Sequence, residues 1–115
     1  MDMNKQHKQQ KEENSIEARV NNMVIEFARN NSNVVAVFKG NSPEEQKQTV
    51  YYIIPKTREY NREFRDKLTD LALEIFADTM QNIGIMCWPV EIEKIKGDAI
   101  PDYPHTGTCI YKKNP

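Results

Sequence analysis

Four side chains could ligate a soft metal or act in nucleophilic catalysis: Cys87, Cys109, His7 and His105. A structural zinc site needs about four such ligands, usually with two in a closely spaced pair. No such pair is present, although His105 lies four residues before Cys109. A Cys109 nucleophile would also need a lowered thiol pKa and a base within reach. The pattern therefore predicts no metal site, no cofactor and two reduced thiols that pack as small hydrophobic side chains.

The loop that contains His105 carries other polar side chains. It reads PDYPHTG and includes Asp102 and Tyr103. Exposed loops often hold functional residues. Asp102, Tyr103 and His105, with Cys109 just beyond, would form a ligand site if an arginine converged on them. The favoured alternative is that the two prolines stiffen the crossing to the last strand.

The stretch KTREYNREFRDK is the strongest basic cluster of the chain. Arg58, Arg62 and Arg65 would share one face of a helix. They follow Tyr51 and Tyr52 in the sequence, and arginine beside aromatic side chains can hold a phosphate or single-stranded nucleic acid. Acidic residues are interleaved with the arginines and would form ordinary ion pairs along the helix. A solvated helix face is therefore favoured over an anion or nucleic-acid site.

The overall composition limits the classes of function. The chain has 115 residues, of which 38% are hydrophobic and 29% charged, and its formal net charge is -1. One domain with a modest core is expected at this length. The balanced charge predicts no general attraction to nucleic acid or to anionic membranes. No apolar run approaches the roughly 18 residues that span a bilayer, and the polar beginning does not resemble a secretory signal. These features predict a cytoplasmic protein without a membrane partner.

Hydrophobic spacing predicts two helices that would position these residues. Apolar side chains keep one helical face from Ile16 to Phe27, with Asn14 placed to cap that helix. The mostly polar residues 1–13 are predicted to form either a flexible tail or an extension of the same helix.

The second helix is the clearest element of the sequence. It keeps helical apolar spacing from Phe64 onward, over roughly five turns. Its apolar face includes Phe76 and Met80, and either Asn61 or Thr57 could cap its start.

Four runs of β-branched and aromatic residues predict strands. They lie at 34–38, 49–54, 85–92 and 108–111. The first is apolar without alternation, which indicates a strand covered on both faces. Pro89 would force the third to a sheet edge or a bulge. The order of elements predicts a single α/β domain over residues 14–115. We expect a two-layer α/β sandwich of two main helices on a small mixed sheet of about four strands.

From Thr49 onward, the sequence resembles minimal nucleotidyltransferase domains. A strand is followed by a helix of the type REFRDKLTDLALEI, then by a strand of the type GIMCWPVEIEKI and an end of the type GTCIY. The preceding helix and VVAVFKG occupy the places of the family's first helix and first strand. The resemblance then covers residues 15 to 111.

The catalytic motifs of that family are altered in this chain. The family has a Gly-Ser pair after its first strand, but here Asn41 separates Gly40 from Ser42. It also has an Asp-x-Asp pair on its second strand, where this chain reads TVYYII. Paired carboxylates hold the magnesium that clamps a triphosphate, and Glu91 alone cannot replace them. The resemblance thus implies a catalytically inactive relative and assigns no functional residue.

Taken together, these features favour a small binding or regulatory domain over an enzyme. The domain would act by protein–protein contact, as an inhibitor, an antitoxin-like partner or an adaptor, with a homodimer as one form of that contact. The predicted contact residues are Tyr51, Tyr52, Trp88, Arg58, Arg62 and Arg65. The alternatives are an inactive nucleotidyltransferase-like domain, or a binder of nucleic acid or a phosphate ligand at the arginines.

Overall fold

A four-stranded sheet with two long helices on one face forms the framework of the protein, as described here from a computed structural model. The structure describes residues 2–44, 48–59 and 61–113, with side chains from residue 15 onward. In chain order the elements are α1 (Asp2–Arg29), β1 (Val34–Asn41), β2 (Thr49–Pro55), α2 (Arg62–Thr79), β3 (Gly84–Cys87) and β4 (Thr108–Lys112). The predicted two-layer α/β sandwich is confirmed. Neither helix, over its described residues, combines the length and apolarity needed to cross a membrane.

The strand order β3-β2-β1-β4 places β3 and β4 at the two edges of the sheet. β1 pairs antiparallel with both β2 and β4, whereas β2 and β3 are parallel. Parallel neighbours need a crossover connection, and α2 supplies it. The carboxyl ends of β2 and β3 therefore lie side by side, at the end of the sheet where α2 begins.

Both helices bury apolar side chains against the same face of the sheet. α1 contributes Val20, Val24 and Ala28, spaced four residues apart on one helical face. α2 contributes a second row with helical spacing: Phe64, Leu68, Leu71 and Ile75. α1 lies over β1 and β4, and α2 lies over β3. An ion pair of 2.6 Å between Arg19 and Asp78 joins the two helices.

The opposite face of the sheet is covered by the chain between β3 and β4 instead of by a helix. This connection, residues 88–107, contains two single helical turns. Val90, Ile95 and Ile100 are buried in it. They belong to a second core with apolar side chains of the strands: Ala36, Phe38, Val50, Tyr52 and Ile54. The central strands are thus covered on both faces, which explains why their sequences lack alternation.

One predicted strand end was wrong, because β3 ends at Cys87 instead of residue 92. The Trp88 N–H still donates to the Ile53 carbonyl at 2.8 Å, but Pro89 has no N–H to continue the ladder. The described backbone of α1 is helical from Asp2, which corresponds to the second alternative for residues 1–13, an extension of the helix, so Asn14 does not cap it.

Of the two proposed caps of α2, the structure shows Asn61. Its side chain accepts a hydrogen bond from the Phe64 N–H at 3.1 Å. The helix ends at Met80, whose φ of 58° is left-handed. The Met80 N–H donates to the Phe76 carbonyl at 2.8 Å, which closes the last turn.

Two glycines let the connection over the second core approach the sheet closely. A Cβ on Gly40, in β1, would lie 2.1 Å from the carbonyl oxygen of His105. A Cβ on Gly107 would lie 2.1 Å from the carbonyl oxygen of Lys39. The two backbones therefore touch where only glycine leaves enough room.

Candidate binding surfaces

Four of the predicted site residues meet in one aromatic cluster: Tyr52, Trp88, Tyr103 and His105. The His105 ring lies 5.4 Å from Tyr52, 5.3 Å from Trp88 and 6.1 Å from Tyr103, measured between ring centroids. Trp88 also contacts Tyr52 at 5.5 Å and Tyr103 at 5.3 Å. All five pairs are close to perpendicular, the edge-to-face arrangement that aromatic rings favour.

This cluster packs the connecting chain onto the sheet. A cation-binding cage presents aromatic faces to open space, whereas here Trp88 and His105 each contact the other three rings edge to face. The Nε2 atom of His105 is buried and has no hydrogen-bond partner among the described residues. Only Tyr103 is substantially exposed. Each edge-to-face pair contributes on the order of 1 kcal/mol beyond its buried area, so the cluster is a packing element.

Tyr51 and Tyr52 cannot serve as contact residues in this structure, contrary to the prediction. They are 1% and 0% exposed. Because successive strand residues point to opposite faces, Tyr51 enters the helix-side core and Tyr52 the core under the connection. The Tyr51 hydroxyl donates to the Asn21 side chain, and the Tyr52 hydroxyl donates to the Asn41 carbonyl at 2.7 Å.

The burial of Tyr51 makes stability depend on alkaline pH. Burial, and secondarily the negative charge of Glu17, raise the pKa of Tyr51 to about 12. The unfolded-state pKa is about 10. The folded-state pKa is higher than the unfolded-state pKa. The stabilisation that the neutral Tyr51 hydroxyl provides is therefore complete below pH 10 and is lost as pH rises toward 12. We expect Tyr51→Phe to reduce the fall in unfolding free energy between pH 9 and pH 11.5 by about 2 kcal/mol.

Urea unfolding at the two pH values measures this difference. The fall in unfolding free energy is compared between the two pH values within each protein. This comparison removes the effect of losing the hydrogen bond from Tyr51 to Asn21, which is the same at both pH values. An equal fall in the wild type and in Tyr51→Phe would contradict a buried Tyr51 hydroxyl.

The two cysteines lie on opposite faces and near opposite edges of the sheet. Cys87, in β3, packs against the helix-side core, and Cys109, in β4, packs against the other core. Burial raises the pKa of both thiols, which disfavours the reactive thiolate. The Cys109 thiol donates to the Tyr111 carbonyl at 3.3 Å. The described residues contain no group of three metal-ligating side chains, and the His7 side chain lies outside them.

The predicted ligand site of the 102–109 loop is divided by the fold. Tyr103 and His105 enter the aromatic cluster. Asp102 lies at the surface and pairs with Lys94 at 3.4 Å. Neither His105 nor Cys109 lines the depression that contains Arg58 and Arg65.

The three arginines do not share one helical face, contrary to the prediction. α2 begins at Arg62, because Asn61 caps it, so Arg58 lies in the preceding loop. Arg58 pairs with Glu91 at 3.0 Å. Arg58 and Arg65 line a common depression, whereas Arg62 is exposed outside it.

This depression, which we name the basic depression, has a volume of about 90 Å³. It lies at the carboxyl ends of β2 and β3, beside the first turn of α2. Its wall is formed by Asn33, Pro55, Lys56, Thr57, Arg58, Glu59, Asn61, Phe64, Arg65, Cys87 and Pro89. Sequence reasoning missed Lys56, although a basic residue directly after a strand and just before a helix was an available signal.

α2 also exposes an apolar flank. Leu73, Phe76 and Met80 are 63%, 46% and 71% exposed. They are three and four residues apart, so they lie on one side of the helix. The sequence pattern had placed Phe76 and Met80 on the buried face. Asp78 faces α1 and lies about 200° around the axis of α2 from Phe76. The flank therefore faces away from α1 and toward the β3 edge of the sheet.

The open edge of β3 adjoins this flank. Among the described residues, β3 pairs only with β2 and ends the sheet on that side. Met86, in the middle of β3, is 41% exposed, but its neighbours Ile85 and Cys87 pack against the helix-side core, so the Met86 side chain points to the opposite face of the sheet. We name the combination of Leu73, Phe76, Met80 and the main-chain edge of β3 the α2–β3 surface.

Comparison of the chain with protein-family models, with curated proteins and with solved structures finds no match. The resemblance to nucleotidyltransferase domains therefore stays a prediction from the sequence. Assignment of a function depends on the surfaces described above.

Proposed function

We propose that this protein is a protein-binding domain and that its partner docks on the α2–β3 surface. The observation that carries the proposal is the exposure of Leu73, Phe76 and Met80 on one flank of one helix. Single exposed apolar side chains are common on soluble proteins. A contiguous group of large ones marks an interaction site more often than chance placement.

The chemistry of this surface suits a partner that presents apolar side chains. Anchors three and four residues apart allow α2 to dock against an apolar groove. Met80 is unbranched and adapts to the shape of what it contacts. The unpaired edge of β3 adds main-chain donors and acceptors, so that a partner strand could extend the sheet.

Other observations support binding over catalysis. The thiols have raised pKa values, and the ring of His105 is packed among other rings. The two free cysteines suit a reducing compartment, and we propose that the protein acts in the cytoplasm.

Site-specific photo-cross-linking in the native host tests this proposal. A photoreactive residue in place of Leu73 should give one adduct of defined mass, whereas the same residue in place of Glu74 should not. Glu74 is an exposed residue of the same helix, but it lines a depression between α1 and α2 and therefore lies on the α1 side, away from the flank. An adduct of twice the chain mass would identify the partner as a second copy.

A double substitution provides the second test. Phe76→Ser with Met80→Ser should weaken partner binding by at least tenfold, because buried apolar anchors carry much of the energy of an interface. The unfolding free energy should change by less than about 1 kcal/mol, because both side chains are largely exposed. Equal adducts at residues 73 and 74, or unchanged binding by the double variant, would contradict the proposal.

A further inference from the structure

We infer that the basic depression binds the phosphoryl group of a small phosphate monoester. This site is separate from the α2–β3 surface, and the inference does not depend on the proposed protein-binding role.

The position of the depression is the first argument. In sheets with parallel strands, ligands bind outside the carboxyl ends of the strands, where the chain turns into the crossover helix. β2 and β3 form such a parallel pair, and α2 is their crossover. Pro55, at the end of β2, and Cys87, at the end of β3, both line the depression. This end of the sheet is therefore the place in the fold where a ligand is expected.

The charge of the wall is the second argument. Lys56, Arg58 and Arg65 line the depression, against a single carboxylate, Glu59. The side chain of Lys56 makes no ion pair with any residue that the structure describes. A group of cations around one small concave space favours an anion, and guanidinium groups match the oxygens of a phosphate.

Two of these cations are held close to the depression. Arg58 pairs with Glu91 at 3.0 Å, and both side chains are more than half exposed. Exposed ion pairs contribute only about 0–1 kcal/mol, so a doubly charged phosphate can compete for Arg58. Burial raises the pKa of the Cys87 thiol, and the charge of Arg65 lowers it by a smaller amount. The charge of Arg65 therefore reaches the β3 side of the depression.

The size of the depression decides how much of the ligand enters it. Pockets that enclose a whole drug-sized ligand have volumes of about 300–1,000 Å³. The basic depression, at about 90 Å³, suits one phosphoryl group. The organic part of the monoester would lie outside, over the loop from Lys56 to Glu59. First-turn N–H groups of α2 lie on the same side and favour negative charge there.

Titration with inorganic phosphate, followed by the amide signals in NMR spectra, tests the inference. Sodium chloride keeps the ionic strength constant. We expect saturable shifts confined to residues 56–59, the first turn of α2 and Cys87, with a dissociation constant in the millimolar range. Phenyl phosphate should bind at the same residues at least as tightly. Absence of saturable shifts would overturn the inference.

Three matched variants separate a built site from general attraction. Lys56→Gln and Arg65→Gln should each weaken phosphate binding at least fivefold. Arg62→Gln removes the same charge from the same turn of α2, but its side chain does not line the depression, so it should change binding by less than twofold. Equal weakening by all three would show attraction to net charge only and would overturn the inference. Thermal unfolding of each variant confirms that it is folded.

Two further measurements distinguish the outcomes. A short single-stranded oligonucleotide without terminal phosphates should not displace inorganic phosphate; displacement would assign the depression to a nucleic-acid backbone instead. The double variant Phe76→Ser with Met80→Ser should bind phosphate as the wild type does. Failure of the protein-binding proposal would thus leave the phosphate inference standing, and the reverse also holds.

Discussion

Replacing Gly107 by alanine should lower the unfolding free energy by more than about 4 kcal/mol, whereas Gly97→Ala should lower it by only about 1 kcal/mol. Both glycines have positive φ, 75° at Gly107 and 64° at Gly97. The difference lies in what surrounds them. A Cβ on Gly97 would meet nothing within 4 Å.

At Gly107, two penalties combine. A Cβ there would lie 2.1 Å from the Lys39 carbonyl oxygen and 2.7 Å from the Cα of Gly40. Those atoms belong to the backbone of a central strand and cannot move aside as a side chain can. The φ of 75° with a ψ of -128° is also a conformation that is reached almost only by glycine. Alanine would therefore separate the connection from the sheet.

Urea unfolding of both variants measures this contrast, because Gly97→Ala controls for the change in unfolded-chain entropy. Gly40→Ala tests the same contact from the other side without a positive φ, because its Cβ would lie 2.1 Å from the His105 carbonyl oxygen. Losses of similar size at positions 97 and 107 would show that the two backbones do not touch.

The second large effect is expected for Trp88→Ala, which should lower the unfolding free energy by about 3 kcal/mol. The Trp88 ring contacts Tyr52, Tyr103 and His105. Its removal would leave a space between the connection and the sheet. Trp88→Phe keeps a ring in place and should lower the unfolding free energy by only about 1 kcal/mol.

This prediction decides between two roles of Trp88. The sequence marked it as a contact residue, and the structure packs it inside the aromatic cluster. Met86→Ala is the control, since Met86 lies nearby in β3 but is 41% exposed and should cost less than about 1 kcal/mol. If Trp88→Ala left stability unchanged and weakened only partner binding, the contact role would be the correct one.

The sequence by itself determined the elements and the class of fold. Apolar residues with helical spacing predicted α1 and α2, and β-branched runs predicted the strands. Asn61 was one of two proposed caps, and its side-chain hydrogen bond to Phe64 now sets the start of α2. These predictions succeed because they depend on local periodicity and hydrogen bonding within a few residues.

The tertiary structure alone decided the surfaces. The period of a strand separates Tyr51 from Tyr52 but does not say that both faces are covered. The period of a helix groups Phe76 with the apolar residues but does not say where the neighbouring layer ends. Arg58 and Arg65 meet in one depression, without Arg62, because a loop and a helix start converge there. Exposure and juxtaposition depend on which distant segments pack together, and no local pattern contains that information.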